Sequence, residues 1–209
     1  MKKIGIIDYG MGNLHSVKNA LDFIGADSFV SDDVSALSAA DGLILPGVGA
    51  FPDAMERLRA TGLDKFVKEY VKERPLIGIC LGMQLLFDKS YEFRECEGLS
   101  LIGGEVVRIE EAGLKVPHMG WNELKLVNDS PIAASLGDGD HVYFVHSYKA
   151  LVKDRADLVA VTDYGSEVTA IVAHGNVYGC QFHPEKSERV GLDILRSFWR
   201  IVNDNITCN

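Results

Sequence analysis

Cys80 is the residue whose type and surroundings best suit chemistry, because it stands between two glycines in Gly78-Ile-Cys80-Leu-Gly82. The apolar run before it favours a buried strand, and the residues after it favour a helix. A sharp strand-to-helix turn strains its central residue and projects that side chain over the sheet, which small neighbours permit. The positive end of the helix dipole also favours a thiolate there. The pattern predicts a nucleophilic cysteine, with a buried cysteine that ends a core strand as the alternative.

A thiolate nucleophile needs a base, and His183 is the candidate among six histidines. It follows an apolar strand in His183-Pro184-Glu185, where the proline ends the strand. The Glu185 carboxylate can return to the imidazole, fix its tautomer and stabilise the imidazolium. We therefore predict Cys80, His183 and Glu185 as a catalytic triad. Taken alone, the His-Pro-Glu sequence is equally typical of a surface turn.

Two patterns suggest cofactor sites, and local residues disfavour both. Cys180 and His183 have the spacing of a metal-binding pair, but alternation along a strand sends the two side chains to opposite faces. The glycines of Gly10-Met-Gly-Asn-Leu-His15 suggest a dinucleotide loop, but His15 stands where a third glycine is needed. A turn before a helix capped by Asn13 is the local alternative. We expect no metal and no other cofactor.

The composition describes one acidic domain. The 209 residues carry a formal net charge of −9, which argues against binding to nucleic acid or to an anionic membrane. No apolar run approaches the roughly 20 residues that a membrane span needs. The length predicts a single domain over residues 1–209. Four scattered cysteines, Cys80, Cys96, Cys180 and Cys208, predict reduced thiols and a cytoplasmic protein.

In the first half, short apolar runs alternate with amphipathic helical patterns. Such runs indicate parallel strands buried on both faces, with helices on each side. The predicted strands are Lys3–Asp8, Asp27–Ser31, Asp41–Leu45 and Pro75–Ile79, and the predicted helices are about Asn13–Ile24, Pro52–Ala60 and Leu63–Lys72. This half is therefore predicted to be a doubly wound α/β structure.

In the second half, shorter strands are separated by glycine-containing turns. The predicted strands are Glu105–Ile109, Asn122–Leu126, His141–Phe144, Leu158–Thr162, Val168–Ala173 and Asn176–Gln181. Gly175-Asn176 is typical of a hairpin turn. We expect these strands to add antiparallel members to the same sheet. A closing helix is predicted at about Glu188–Asn203, with Ser187 as its cap.

Three segments together carry a family resemblance: Gly78–Gln84, His183–Glu185 and Pro46-Gly-Val-Gly49. In this order, and over nearly the whole length, they resemble the class I, triad-type glutamine amidotransferases. The resemblance implies a three-layer α/β fold with a mostly parallel central sheet flanked by helices. Four more particular segments are similar to the glutaminase subunits of imidazole glycerol phosphate synthases: Asp8–Leu14, Pro117–Asn122, Phe144–Tyr148 and His183–Ser187.

The resemblance implies an activity. Cys80 would attack the side-chain carboxamide of L-glutamine to form a γ-glutamyl thioester and release ammonia, with His183 as base and then proton donor and Glu185 orienting it. Backbone N–H groups of Leu81 and of Val48 or Gly49 would form the oxyanion hole.

The resemblance also implies binding residues and a partner. Glutamine would be bound by Gly47, Gln84, Ser147 and Tyr148. The partner would be a cyclase subunit, which receives the ammonia in histidine biosynthesis and contacts Asn13, Trp121 and Lys186. In this family the Pro46–Gly49 loop is thought to reach its productive orientation only with that partner bound. The roles of His118, His146, Cys96 and Cys208 are left open.

Three other functions remain as alternatives. A glutaminase for another acceptor, such as anthranilate synthase, would often have His where Met83 stands. A stand-alone Cys-His hydrolase of γ-glutamyl bonds would work at full rate without a partner. A catalytically idle interaction subunit is disfavoured by the intact Cys80, His183 and Glu185.

Overall fold

The computed structural model describes residues 2–110 and 113–204. Within these ranges the helices are α1 (Leu14–Phe23), α2 (Val34–Ser38), α3 (Phe51–Thr61), α4 (Leu63–Tyr70), α5 (Leu81–Gln84) and α6 (Glu188–Asp204). The strands are β1 (Ile4–Ile7), β2 (Ser28–Ser31), β3 (Gly42–Gly47), β4 (Leu76–Cys80), β5 (Lys89–Ser90), β6 (Cys96–Glu97), β7 (Gly104–Arg108), β8 (His118–Glu123), β9 (Lys125–Leu126), β10 (His141–His146), β11 (Tyr148–Val152), β12 (Leu158–Asp163), β13 (Glu167–His174) and β14 (Val177–Cys180). None of the described helices is long and apolar enough to cross a membrane.

An eight-stranded sheet runs through both halves of the chain in the order β2-β1-β3-β4-β14-β13-β12-β9. The neighbours from β2 to β14 are parallel. The remaining neighbours are antiparallel. The predicted hairpin at Gly175-Asn176 is confirmed, because His174 and Val177 are paired on either side of it. The mixed, mostly parallel sheet confirms the predicted fold class.

Helices cover both faces of this sheet because its central strands are apolar on both sides. β1, β3 and β4 are buried along their whole length. On β3, Ile44 belongs to an apolar cluster shared with α1 and α6. Its neighbours Leu43 and Leu45 belong to a second cluster, shared with α3 and α4. Adjacent residues of a strand point to opposite faces, so the fold has three layers.

The strands in the second half of the chain were expected to join the eight-stranded sheet, but some of them form two smaller sheets instead. β8 pairs with β10, and β7 lies in a four-stranded sheet with β5, β6 and β11. The predicted strand Asn122–Leu126 is two strands, β8 and β9. Leu124 separates them, fully buried, with its N–H donating to Asp140 O at 2.7 Å. An apolar pattern shows which face of a strand is buried, but not which sheet the strand joins.

Two predicted helix caps are wrong. Asn13 precedes α1, but its side chain makes no capping hydrogen bond. Ser187 precedes α6, yet its hydroxyl donates to His183 O at 2.7 Å and accepts the N–H of Tyr143 at 2.9 Å. The side chain of Ser187 therefore holds the segment that carries His183, and this hydroxyl helps to position the site.

Candidate functional site

Cys80 lies at the end of β4, where the backbone is strained as the sequence predicts. Its φ is 55° and its ψ is −112°, which is costly for any residue with a Cβ. A Cβ added to Gly82 would lie 1.8 Å from Leu45 O, and one added to Gly78 would lie 2.5 Å from Gly82 O. Gly82 lies against the backbone of β3, and Gly78 lies against the backbone of Gly82, so only glycine fits at these two positions. The geometry is that of a nucleophile elbow.

His183 and Glu185 follow β14, which pairs with β4 and so brings both residues to the end of β4 that carries Cys80. His183 Nδ1 donates to Glu185 Oε1 at 2.8 Å, and the two side chains are only 4% and 1% exposed. The backbone N–H of His183 donates to Tyr143 O at 3.1 Å. A 3₁₀ turn over Pro184–Lys186 places the carboxylate of Glu185 beside the imidazole of His183. The three residues predicted as a triad are therefore brought together.

The imidazole of His183 lies between two acidic groups. Burial by itself lowers the pKa of His183, but hydrogen bonds to Cys80 and Glu185 and their negative charges outweigh burial and raise it from 6.5 to about 10. At neutral pH His183 is then an imidazolium, and it is hydrogen-bonded to the sulfur of Cys80. This pair supplies a nucleophile and a proton donor side by side.

A pocket of about 300 Å³ opens beside Cys80, with room for one amino acid. Its lining comes from four segments and contains most of the predicted site residues. These lining residues are Val48, Gly49, Cys80, Leu81, Gln84, Val145, His146, Ser147, Tyr148, His183 and Lys186. Two of the residues predicted for catalysis or glutamine binding are not in the lining. Glu185 is bonded to His183, and Gly47 pairs with Cys80 so closely that an added Cβ would lie 2.6 Å from Gly82 N.

The loop after β3 is anchored at both ends by side chains that the sequence did not reveal. The Tyr9 hydroxyl donates to Pro46 O at 2.8 Å. Glu92 Oε2 accepts the N–H of Phe51, the first residue of α3, at 2.7 Å. Burial raises the pKa of both Tyr9 and Glu92. Between the anchors, Gly49 has a φ of 97°, a conformation that favours glycine.

The three residues expected at the partner contact occupy surface positions. Asn13 is half-buried before α1, and Lys186 is exposed at the pocket. Trp121 is 45% exposed on β8, with its ring edge-on to Tyr143 at 6.0 Å between centroids. These positions leave the residues accessible to another chain, and their role stays a prediction.

Three polar side chains buried beside the pocket had no predicted role: Gln181, His118 and His146. Burial lowers the pKa of His118 to about 4 and that of His146 to about 3. Strand alternation predicts that such side chains point inward, but it cannot name their partners. The bond from Gln84 to Gln181, for example, joins residues 97 positions apart.

The metal alternative finds no support in the surroundings of Cys180 and His183. The imidazole is bonded to Glu185, and Cys180 is a core residue whose thiol pKa is raised by burial. Across residues 2–110 and 113–204, no group of three or more His, Cys, Asp or Glu side chains is placed to hold a metal ion. Cys208 lies outside the described residues.

Sequence comparison finds relatives over almost the whole chain. It is 54% identical over 205 residues to imidazole glycerol phosphate synthase subunit HisH of Geobacillus sp. (strain WCH70), covering 95% of this chain and 97% of that protein. It is 50% identical over 212 residues to the protein of the same name from Halalkalibacterium halodurans, covering 97% and 98%. The HisH protein of Caldanaerobacter subterraneus subsp. tengcongensis is 48% identical over 200 residues, covering 95% and 98%.

Solved structures share the fold. A chain of PurLQS from Thermotoga maritima superposes with a TM-score of 0.74 at 19% identity, covering 95% of this chain and 98% of that one. A glutamine amidotransferase from the same organism gives 0.69 at 17% identity, covering 96% and 98%. The family model described as "Glutamine amidotransferase class-I" matches residues 5–201. With its relatives and its nucleophile elbow, the chain belongs to the class-I glutamine amidotransferase family.

Proposed function

We propose that this chain is the glutaminase subunit of an imidazole glycerol phosphate synthase. It hydrolyses L-glutamine to glutamate and ammonia, and the ammonia passes to a cyclase subunit that makes imidazole glycerol phosphate and AICAR in histidine biosynthesis. The observation that carries the proposal is the strained Cys80 beside the buried His183–Glu185 pair at a pocket of amino-acid size. Relatives named for that synthase, 54% and 48% identical over 95% of this chain, support the choice of acceptor.

The reaction uses the sulfur of Cys80 and the imidazolium of His183. The Cys80 thiolate attacks the side-chain carboxamide carbon of glutamine, and His183 gives its proton to the departing nitrogen. The C–N bond breaks, ammonia leaves, and a γ-glutamyl thioester remains on Cys80. Water then attacks the thioester while His183 takes one of its protons, and the C–S bond breaks to release glutamate. Glu185 holds the imidazole tautomer and stabilises the imidazolium.

The oxyanion that forms in both steps needs two backbone donors. Leu81 N–H is the first, because it follows the nucleophile at the start of α5. The second comes from Val48 or Gly49, in the loop whose two ends are held by Tyr9 and Glu92. Because the ends are fixed, a rotation of the peptide unit between Val48 and Gly49 can turn an N–H toward Cys80 without moving β3 or α3.

Glutamine is bound by Gln84 and by the backbone of Ser147 and Tyr148, which line the pocket beside Cys80. Gly47, the fourth predicted binding residue, is adjacent to Cys80 through strand pairing but outside the lining. Its contribution is therefore close packing beneath the substrate, where a side chain would collide with Gly82.

The cyclase contacts the face that carries Asn13, Trp121 and Lys186. Lys186 lines the pocket and is also exposed, so the contact reaches the site itself. We also propose that residues 1–209 form one glutaminase domain. The support is the eight-stranded sheet, whose strands come from both halves of the chain. The cytoplasmic location stays a prediction.

The first test replaces the nucleophile. Cys80→Ala should abolish ammonia release from glutamine while the unfolding transition and association with the cyclase persist, because only the reacting sulfur is removed. Cys96→Ala, a half-buried cysteine outside the pocket, is the control and should keep activity within about twofold. Glutaminase activity that persists in Cys80→Ala would refute the proposal.

The second test addresses the partner. The purified chain is assayed alone, with a cyclase plus its nucleotide ligand, and with an anthranilate synthase component. We expect the rate of glutamine hydrolysis to rise only with the cyclase. Equal rates with and without it would favour a stand-alone γ-glutamyl hydrolase. Stimulation by the anthranilate synthase component instead would assign the glutaminase to that acceptor.

A further inference from the structure

Two side chains converge on the carbonyl oxygen of Tyr148 at the edge of the pocket. His146 Nδ1 lies 2.8 Å from this oxygen, and Gln84 Nε2 lies 3.0 Å from it. A carbonyl oxygen only accepts hydrogen bonds and has two lone pairs. His146 therefore carries its proton on Nδ1, and Gln84 turns its NH₂ group toward Tyr148. The protein itself thus uses both acceptor positions of this carbonyl.

The hydrogen bond from Gln84 to Tyr148 O also fixes the orientation of two side-chain amides. They belong to Gln84 and Gln181, the only glutamines in the sequence. Gln84 Nε2 also lies 3.0 Å from Gln181 Oε1, so both hydrogens of the Gln84 amide are bonded within the protein. The NH₂ group of Gln181 then faces Cys80 Sγ, with 3.9 Å between Nε2 and the sulfur. Gln181 is fully buried, and its backbone N–H donates to Ala170 O at 2.9 Å. Its side chain cannot turn to solvent.

On the other side of Tyr148, the hydrogen bonds continue into a second histidine. His146 Nε2 carries no proton, so it accepts the N–H of His118 Nδ1 at 2.9 Å. Both imidazoles are neutral in this arrangement, in agreement with their lowered pKa values. The ring of His118 is stacked on Phe144 and Tyr164, with centroids 4.7 and 3.9 Å away. The histidine pair is therefore a rigid support for the Tyr148 carbonyl.

We infer that Gln181 is a catalytic residue that donates an N–H hydrogen bond to the Cys80 thiolate, and that Gln84 and His146 are positioning residues that hold it there. The inference rests on the proposed function, which makes Cys80 the nucleophile. A neutral donor favours negative charge on sulfur without competing with His183 for a proton. The network also limits Gln84, which has only its Oε1 left to offer to the glutamine substrate.

The test is the pH dependence of Cys80 alkylation by iodoacetamide, which reports the thiolate, read at the Cys80 peptide by mass spectrometry. It is combined with kcat and KM for glutamine in the complex with the cyclase. Gln181→Met keeps the side-chain length and removes the donor. The alkylation midpoint is the pH at which Cys80 reacts at half its maximal rate. We expect this midpoint to rise by about one pH unit and kcat to fall about tenfold, with KM within about twofold of the wild-type value.

Thr169→Val is the matched control, because it removes a buried hydrogen bond from Thr169 Oγ1 to Ala150 O that is outside the network. Its alkylation midpoint should equal that of the wild type. If Gln181→Met fails to fold, Gln181→Leu carries the comparison, since it is also apolar at this buried position and also removes the donor. Unchanged midpoint and kcat in the folded Gln181 variant overturn the inference. Activity in Cys80→Ala would instead overturn the proposed function, so the two failures are distinguishable.

Discussion

Replacing Glu185 with glutamine removes one negative charge beside His183 and keeps the size of the side chain. In the wild type, His183 Nδ1 and Glu185 Oε1 are 2.8 Å apart and almost fully buried. The amide oxygen of a glutamine can still accept the Nδ1 hydrogen, so the geometry is kept while the imidazolium loses its charged partner. We expect Glu185→Gln to fold and to lower the pKa of His183.

The burial of the pair sets the size of the effect. Removing one partner of a buried ion pair costs about 3–5 kcal/mol. Each ~1.4 kcal/mol lost from transition-state stabilisation is a factor of about 10 in rate. If the whole energy of the ion pair is lost from transition-state stabilisation, kcat falls roughly 150- to 5,000-fold. KM should stay within about threefold, because Glu185 does not line the pocket.

The assay is ammonia release in the complex with the cyclase, followed across the pH range. The high-pH limb of the kcat profile should move to lower pH in Glu185→Gln, because His183 then loses its proton more easily. Glu73→Gln, at an exposed carboxylate after α4, is the matched control and should match the wild type. A kcat within about threefold of the wild type and an unmoved limb would refute a role for this charge.

Two further predictions concern stability. Gly82→Ala should lower the free energy of unfolding by about 3 kcal/mol or more, since its Cβ would meet Leu45 O at 1.8 Å. Gly137→Ala is the control, because nothing lies within 4 Å of the added carbon. Equal midpoints of urea unfolding for Gly82→Ala and Gly137→Ala would contradict the prediction. Raising the pH from about 7 to about 10 should destabilise the wild type more than His183→Gln, because over this range His183 keeps its proton in the folded chain and loses it in the unfolded chain. If the unfolding free energies of the wild type and of His183→Gln change with pH in parallel, the raised pKa of His183 is contradicted.

The parallel part of the fold was predictable because its strands are buried on both faces. β3 and β4 are nearly continuous apolar runs, and the predictions Asp41–Leu45 and Pro75–Ile79 differ from them by one or two residues at each end. β5 and β6 are two residues long, which is too short to show the alternation of apolar and polar residues that predicts a strand. The two small sheets were missed because a strand's partner depends on how distant segments pack.

The arrangement of Cys80, His183 and Glu185 was predictable because its constraints are local. Cys80 needs its flanking glycines, and Glu185 is only two residues from His183. Tyr9, Glu92 and Gln181 were missed because their contacts at the site span 37, 41 and 101 positions of sequence. A tyrosine, glutamate or glutamine carries no local pattern that announces such a contact. For these residues only the folded chain brings the two partners together.

The place of β14 ties the activity to the order in which the chain is made. β14 is the last of the described strands, yet it lies inside the sheet between β4 and β13. A ribosome-bound chain that has not yet reached this strand carries the thiol of Cys80 without the imidazole of His183. Pairing across such sequence distances is slow to form. On the proposed function, a chain that ends before His183 should therefore release no ammonia from glutamine.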